Sequence, residues 1–214
     1  MIIESGATRR PGRPKSEEKA ESILDAASHL FMTEGMERTS MDAIAQAAGV
    51  SKQTVYSHFR SKDDLFRACI SSKVDEYGLA VARLPANASI DQKLAETGRR
   101  FLTLIRDPEV MKMFRLMIAE ATAFPKVSNS FHESGPQATV EFVASIFHAH
   151  LAEEDAATAM QAAGDFVGLL KGEHFMALLL GTRDTISDED IETQISEGVR
   201  KIHKLYALSD IPVR

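Results

Sequence analysis

Thr39–Phe66, TSMDAIAQAAGVSKQTVYSHFRSKDDLF, decides the fold of this chain. The stretch reads as a helix, a tight turn, a second helix and the capped start of a third. Ser40 is placed to cap the first helix, whose apolar Ile44, Ala45 and Ala48 share one face. Gly49 falls where that helix must stop with a positive φ, a conformation that costs glycine little. Val50 follows as a buried turn residue. Ser51 is placed to cap the second helix, and Val55 and Phe59, four apart, lie on its inner side. Small Ala45, Gly49 and Val55 let two short helices cross closely and steeply. The pattern is a helix-turn-helix, whose outward second helix fits a DNA major groove.

The outward residues suit that task chemically. Lys52 is a cation for phosphate. The Gln53 amide can read an adenine edge bidentately, and Thr54 offers a hydroxyl and a methyl. Tyr56, Ser57 and His58 face the same way, and Tyr56 and His58 can donate to phosphate oxygens. The free N–H groups at the helix starts are further anion donors. Ser61-Lys62-Asp63-Asp64 resembles a capping box, which sets Lys62 beside the start of a third helix.

Residues from about Ser22 to Ile70 resemble the DNA-binding domain of the TetR family of bacterial transcriptional regulators. The resemblance rests on Ile23, Leu24, Ala26, Ala27, Leu30, Phe31, Gly35, Thr39, Ser40, Ile44, Ala45, Ala48, Gly49, Val50, Ser51, Thr54, Tyr56, His58, Phe59, Ser61, Lys62, Leu65 and Phe66. It implies a fold of about nine helices, a homodimer and regulation by a small molecule. The candidate DNA-contacting residues are Thr39, Ser40, Ser51, Lys52, Gln53, Thr54, Tyr56, Ser57, His58 and Lys62, with Arg13 from the preceding arm.

That arm, Arg9-Arg10-Pro11-Gly12-Arg13-Pro14-Lys15, is basic and too rich in proline to be helical. It resembles the Gly-Arg-Pro core of AT-hook peptides. An extended arm can place Arg13 in a narrow minor groove. For base contact, a disordered tail whose charge only aids solubility is the equal alternative; at least non-specific attraction to phosphate is expected. Ser16 is then expected to cap a helix with Glu17 and Glu18 in its first turn, an inner stripe of Ile23, Ala27, Leu30 and Phe31, and Gly35 at its end.

Charge is divided unevenly. Residues 1–62 hold nine Lys/Arg and eight Asp/Glu, a net of +1, while residues 63–214 hold sixteen and twenty-three, a net of −7. A weakly basic reading head on an acidic body binds DNA through one face, in a salt-sensitive way. No apolar run is long enough to span a bilayer and no signal peptide is recognisable, so a cytoplasmic protein without a membrane role is expected. The single Cys69 cannot form an internal disulfide and suits a buried site.

The rest reads as helix: Lys62 to about Leu84, Asp91–Arg106, Val110 to about Phe124, then an interruption at Pro125 and Ser134-Gly135-Pro136. Helices near Gln137–Leu151, Glu154–Leu180 and Asp188–Leu208 complete the chain. The expected fold is all-α, with an arm at 1–15, a three-helix DNA-binding domain at 16–62 and a helical ligand-binding and dimerisation domain at 63–214. The segment Phe114–Ala121 with Phe124-Pro125, Phe131 and Gly135-Pro136 resembles the body of the AefR-like branch of the same family.

Methionine and aromatic residues of the body suit an effector of apolar or amphipathic character. The candidates are Phe101, Met113, Met117, Phe124, Phe131, Phe142 and Phe166. Phe166–Leu180 is apolar almost all round, and the last helix carries a stripe of Ile191, Ile195, Val199, Ile202 and Tyr206. Half of an intermolecular four-helix bundle is expected there, with Gly168, Phe175, Leu179, Ile195, Val199 and Ile202 as interface candidates. Gly164, Gly168 and Gly172 recur every fourth residue, which suits close helix packing or ligand space. His148 and His150 do not share a helix face, so no metal site or other cofactor is expected. No nucleophile–base pair or phosphate loop is recognisable, which argues against an enzyme. The expected function is a ligand-responsive homodimeric repressor released from an inverted-repeat, double-stranded operator. Control of efflux and control of lipid or other small-molecule metabolism both remain open.

Overall fold

In a computed structural model, residues 15–79, 87–150 and 156–208 are described; they are helical and turn, with no strand among them. Arg13, and with it the arm as far as Pro14, lies outside the described residues, as does Pro85; Lys15, expected to end the arm, is instead the first residue of helix. The chain divides into two compact units, at Leu65/Phe66.

The first unit holds α1 (Lys15–Glu34), α2 (Met41–Ala47), α3 (Lys52–His58) and the first turn of α4 (Lys62–Glu76). α1 begins one residue before the expected cap Ser16 and buries Ile23, Ala27 and Phe31 completely or nearly so. α2 and α3 are seven residues each, too short to persist alone. Their ends are closed locally. Ser40 and Ser51 each accept a backbone N–H three residues on, from Ala43 and Thr54, both at 3.1 Å. Gly49 has φ +66°, and the next residue, Val50, returns its N–H to the Ala45 carbonyl at 3.0 Å. A Cβ on Gly49 would meet nothing within 4 Å, so conformation and not space requires glycine there.

In the second unit α4 stops at Glu76, short of the expected Leu84. Gly78, at φ +69°, ends the helix, and Leu79 returns its N–H to the Val74 carbonyl. This is a glycine-closed helix end, which stops α4 before Pro85 could. α5 (Ile90–Arg106) starts at a reciprocal Ser89–Gln92 cap; α6 (Pro108–Glu120) starts at Asp107 with proline in its first turn.

The expected interruption at Ser134-Gly135-Pro136 is instead continuous helix. α7 (Pro125–His132) passes through a π-helical turn, Glu133–Gln137, into α8 (Ala138–His150). The widened turn accommodates Pro136, and the Thr139 hydroxyl donates to the Gly135 carbonyl at 3.0 Å. α9 (Ala156–Leu180) carries a break at Gly172, with φ 46° and ψ −146°, and α10 (Asp188–Tyr206) closes the fold.

α8 packs along α9, and α10 lies across α5 and α9. Their shared core includes Leu94, Leu102, Phe147, Phe166, Leu170, Ile195 and Ile202. Gly98 permits the close approach: a Cβ there would stand 3.2 Å from Leu170 and 3.3 Å from Ile195. No helix among the described residues is long and apolar enough to cross a membrane.

Candidate nucleic-acid interface

α3 turns only Val55 fully inward. Lys52, Gln53, Tyr56 and Ser57 are exposed; Thr54 and His58 are half-buried. Among the described residues no hydrogen bond occupies the Gln53 amide, which leaves its donor and acceptor for a base edge. Tyr56 is 45% exposed, high for an aromatic side chain. The Ser51 and Thr54 hydroxyls hydrogen-bond each other at 2.9 Å, and the Ser57 hydroxyl donates to the Thr54 carbonyl at 2.7 Å. The Ser51 and Thr54 hydroxyls close the helix start, and the Ser57 hydroxyl is bonded within the last turn.

The cations around α3 are positioned by the first unit itself. Lys52 Nζ pairs with Asp42 of α2 at 2.8 Å. That hydrogen bond, and then the Asp42 charge, hold Lys52 above its ordinary pKa. Lys62 donates to the Glu37 carbonyl at 3.1 Å, which ties the start of α4 to the loop between α1 and α2.

Thr39 requires a correction. Its side chain is 1% exposed, and its hydroxyl donates to the Gly35 carbonyl at 2.8 Å. It closes the turn between α1 and α2 and is withdrawn from the surface. Ser40, beside it, stays exposed as the α2 cap.

The effector candidates fall into two groups. Phe101, Met117 and Phe166 are buried in the core of their own protomer, and the Phe166 ring meets Phe147 edge-on at 6.4 Å. Met113, Phe124, Phe131 and Phe142 are half-buried. Phe131 meets Phe114 edge-on at 5.0 Å, and Phe114 meets Phe175 at 5.3 Å. Phe114 was not among the candidates, and Phe175 was counted with the interface. Its ring turns to α6 because α9 changes direction just before it, at Gly172.

The interface candidates also divide. Ile195 and Ile202 are 3% and 0% exposed, in the core against α5 and α9 of the same chain, so they are corrected to structural residues. An apolar helix stripe does not say whose core it enters. Val199 is half-buried in an open groove of about 560 Å³ between α5 and α10, beside Ala95, Ser196 and Arg200. Leu179 and Phe175 are half-buried, while Gly164 and Gly168 lie on an exposed face with nothing within 4 Å of a Cβ. Met160, Met176 and Leu180 of the same helix are 43%, 53% and 68% exposed, high for large apolar side chains.

Comparison with known proteins agrees with this geometry. Residues 23–69 match the bacterial regulatory proteins of the tetR family, and residues 92–208 match the C-terminal domain of AefR-like transcriptional repressors. Over 71 residues the chain is 41% identical to the transcriptional activator FasR of Mycolicibacterium smegmatis; the match covers 33% of this chain and 32% of FasR. Over 86 residues it is 33% identical to the transcriptional repressor ComR of Escherichia coli, covering 40% and 39% of the two chains. The matched stretch thus spans about a third of the length of these curated relatives. Among solved structures, the flavonoid-responsive regulator FrrA is 31% identical with a TM-score of 0.69, over 88% of this chain and 97% of FrrA. A TetR-family regulator from Mesorhizobium loti is 25% identical with a TM-score of 0.66, over 90% and 98%. With both halves matched and an exposed reading helix between two capped turns, this chain belongs to the TetR family of DNA-binding transcriptional regulators.

Proposed function

We propose that the protein is a homodimeric repressor that leaves an inverted-repeat operator when a small apolar or amphipathic molecule binds its body. The observation that carries the reading is the outer face of α3, where an unoccupied Gln53 amide stands beside exposed Tyr56 and Lys52. One seven-residue helix makes too few base contacts for a specific site, so two copies related by a two-fold axis must act together. The solvent-facing Met160, Gly164, Gly168, Met176 and Leu180 of α9 supply a surface for that pairing. Support for repression comes from the AefR-like repressor match, although FasR is named an activator. Support for an effector comes from FrrA, named flavonoid-responsive, and from the half-buried aromatic rings of α6, α7 and α9.

Selection of DNA fragments by the purified protein, followed by sequencing, tests the reading. An inverted repeat is expected, with binding that weakens steeply as salt rises. Gln53→Ala should flatten preference at particular base pairs, each worth about 1–3 kcal/mol. A uniform loss over all sequences would remove Gln53 from base reading. Selected fragments without two-fold symmetry would remove the dimer.

A further inference from the structure

Lys171 of α9 is a half-buried cation whose partner is an aromatic ring. Its ammonium lies over the Phe175 ring, 5.3 Å from the centroid, and no carboxylate among the described residues pairs with it. Burial depresses its pKa below the ordinary lysine value, with no opposing contribution. Lys73 of α4 shows what compensation looks like in the same fold. It lies 5.4 Å over the Tyr77 ring, yet it also pairs with Asp107 at 2.9 Å and Glu76 at 3.2 Å. Those bonds outweigh its own desolvation, and its pKa is raised.

A ring face compensates a buried charge only in part. The ring beneath Lys171 continues into a wall. Phe175 meets Phe114 of α6 at 5.3 Å, and Phe114 meets Phe131 of α7 at 5.0 Å, both edge-on. All three rings are half-buried. Arg115, next to Phe114, is already committed: it donates to the Leu178 and Leu179 carbonyls, both at 2.9 Å, and closes the end of α9. The break at Gly172, between Lys171 and Phe175, is held in place by α10. Gln194 donates to the Leu169 carbonyl at 2.5 Å and stands 2.9 Å from where a Gly172 Cβ would be. The cation therefore sits at one end of an apolar wall from three helices, on a fixed backbone, without its anion. It leans onto Phe175, which is engaged with α6, whereas Met176 and Leu180 point to solvent.

We propose that Lys171 is the anion-recognising residue of the effector site, and that the effector is an amphipathic acid whose apolar body lies along Phe131, Phe114 and Phe175. This rests on the ligand-released reading above and sharpens it, because it requires an ionised group on the ligand.

Matched probes test it with the full chain: decanoate against decanol, and 1-naphthaleneacetate against 2-(1-naphthyl)ethanol, by calorimetry. Each acid should bind about tenfold or more tightly than its alcohol, the size expected of one charge-assisted hydrogen bond. Lys171→Met should bring that ratio close to one, and Lys171→Arg should keep it. Acids and alcohols binding equally to the unaltered protein would overturn the proposal and leave the ligand-released reading standing. Binding by none of the four probes would count against both. An unchanged ratio in Lys171→Met, together with a shifted dimer equilibrium in ultracentrifugation, would assign the missing anion to a second copy of the chain and overturn the proposal.

Discussion

The two units of this protein hold their helices by different means. In the first, two seven-residue helices are specified within a few residues of themselves, by Ser40, Gly49 and Ser51. In the second, helices of thirteen residues and more are also capped, as at Ser89 and Ser187, but their placement is set by what they meet far along the chain, as where Gly98 of α5 admits Leu170 and Ile195. A short helix cannot offset its own nucleation by length, so its caps must be good. A long helix can tolerate a π-turn at Pro136 or a break at Gly172, because packing on both sides restores the loss. The exposed reading helix α3 therefore sits on the unit whose short helices are closed locally.

The largest expected effect breaks the comparison at the body. Phe166 is fully buried and meets Phe147 edge-on. Phe166→Ala should cost about 3–5 kcal/mol, transfer and cavity terms together. Its effect on ligand response then follows from lost stability. Val55, fully buried under α3, is the counterpart in the head. Val55→Ala removes two methyl groups, which corresponds to about 2 kcal/mol. Urea denaturation should rank the two in that order. Equal costs would mean that the small unit depends on its core as heavily as the large one.

A single type of substitution should have opposite signs in the two units. Gly49 has φ +66°, so Gly49→Ala should destabilise by about 1–2 kcal/mol although nothing crowds the site. Gly168 is helical, exposed and equally uncrowded within one chain. Gly168→Ala should stabilise the protomer by about 1 kcal/mol, the helix propensity difference. If a second copy packs across that face, the same change weakens the dimer, which sedimentation at several concentrations would reveal. A loss of stability already in the monomer would contradict the open site seen here.

The difference in specification also explains what could be read from the residues alone. Ser40, Gly49, Ser51 and Val55 act on neighbours within four positions, so spacing alone reveals their roles. Thr39 was misread because nothing in a local pattern tells a hydroxyl facing DNA from one turned back to Gly35. The Lys52–Asp42 pair spans two helices and ten residues, outside the reach of a one-helix face argument. In the body, helix existence was legible but helix fate was not. The stripe of Ile191, Ile195 and Ile202 is the same whether it enters its own core or a partner's. Gly172 resembled Gly164 and Gly168 by spacing alone, yet it alone of the three has a positive φ. Lys171 and Phe175 stand four apart on α9, within reach of a local reading, but the rings that extend Phe175 into a wall come from α6 and α7 and leave no local trace.

The smallest expected effect on stability has a measurable effect on function. Asp42 and Lys52 are both well exposed, with side chains 65% and 59% accessible, so their pairing contributes little to folding. Asp42 also lies in the first turn of α2, where a carboxylate suits the helix dipole. Asp42→Asn should therefore leave unfolding in urea nearly unchanged. DNA binding should change more. The substitution removes a negative charge beside the reading helix and frees the Lys52 ammonium for a phosphate. Affinity should rise similarly for operator and unrelated DNA, since phosphates carry no sequence. The slope of log K against log salt should steepen by about one unit, the signature of one added phosphate contact. Specificity, the ratio of the two affinities, should stay constant. A uniform loss of affinity in Asp42→Asn would reverse the assignment: Asp42 would then be aiming Lys52 at the backbone, and the pair would belong to the DNA interface as a unit.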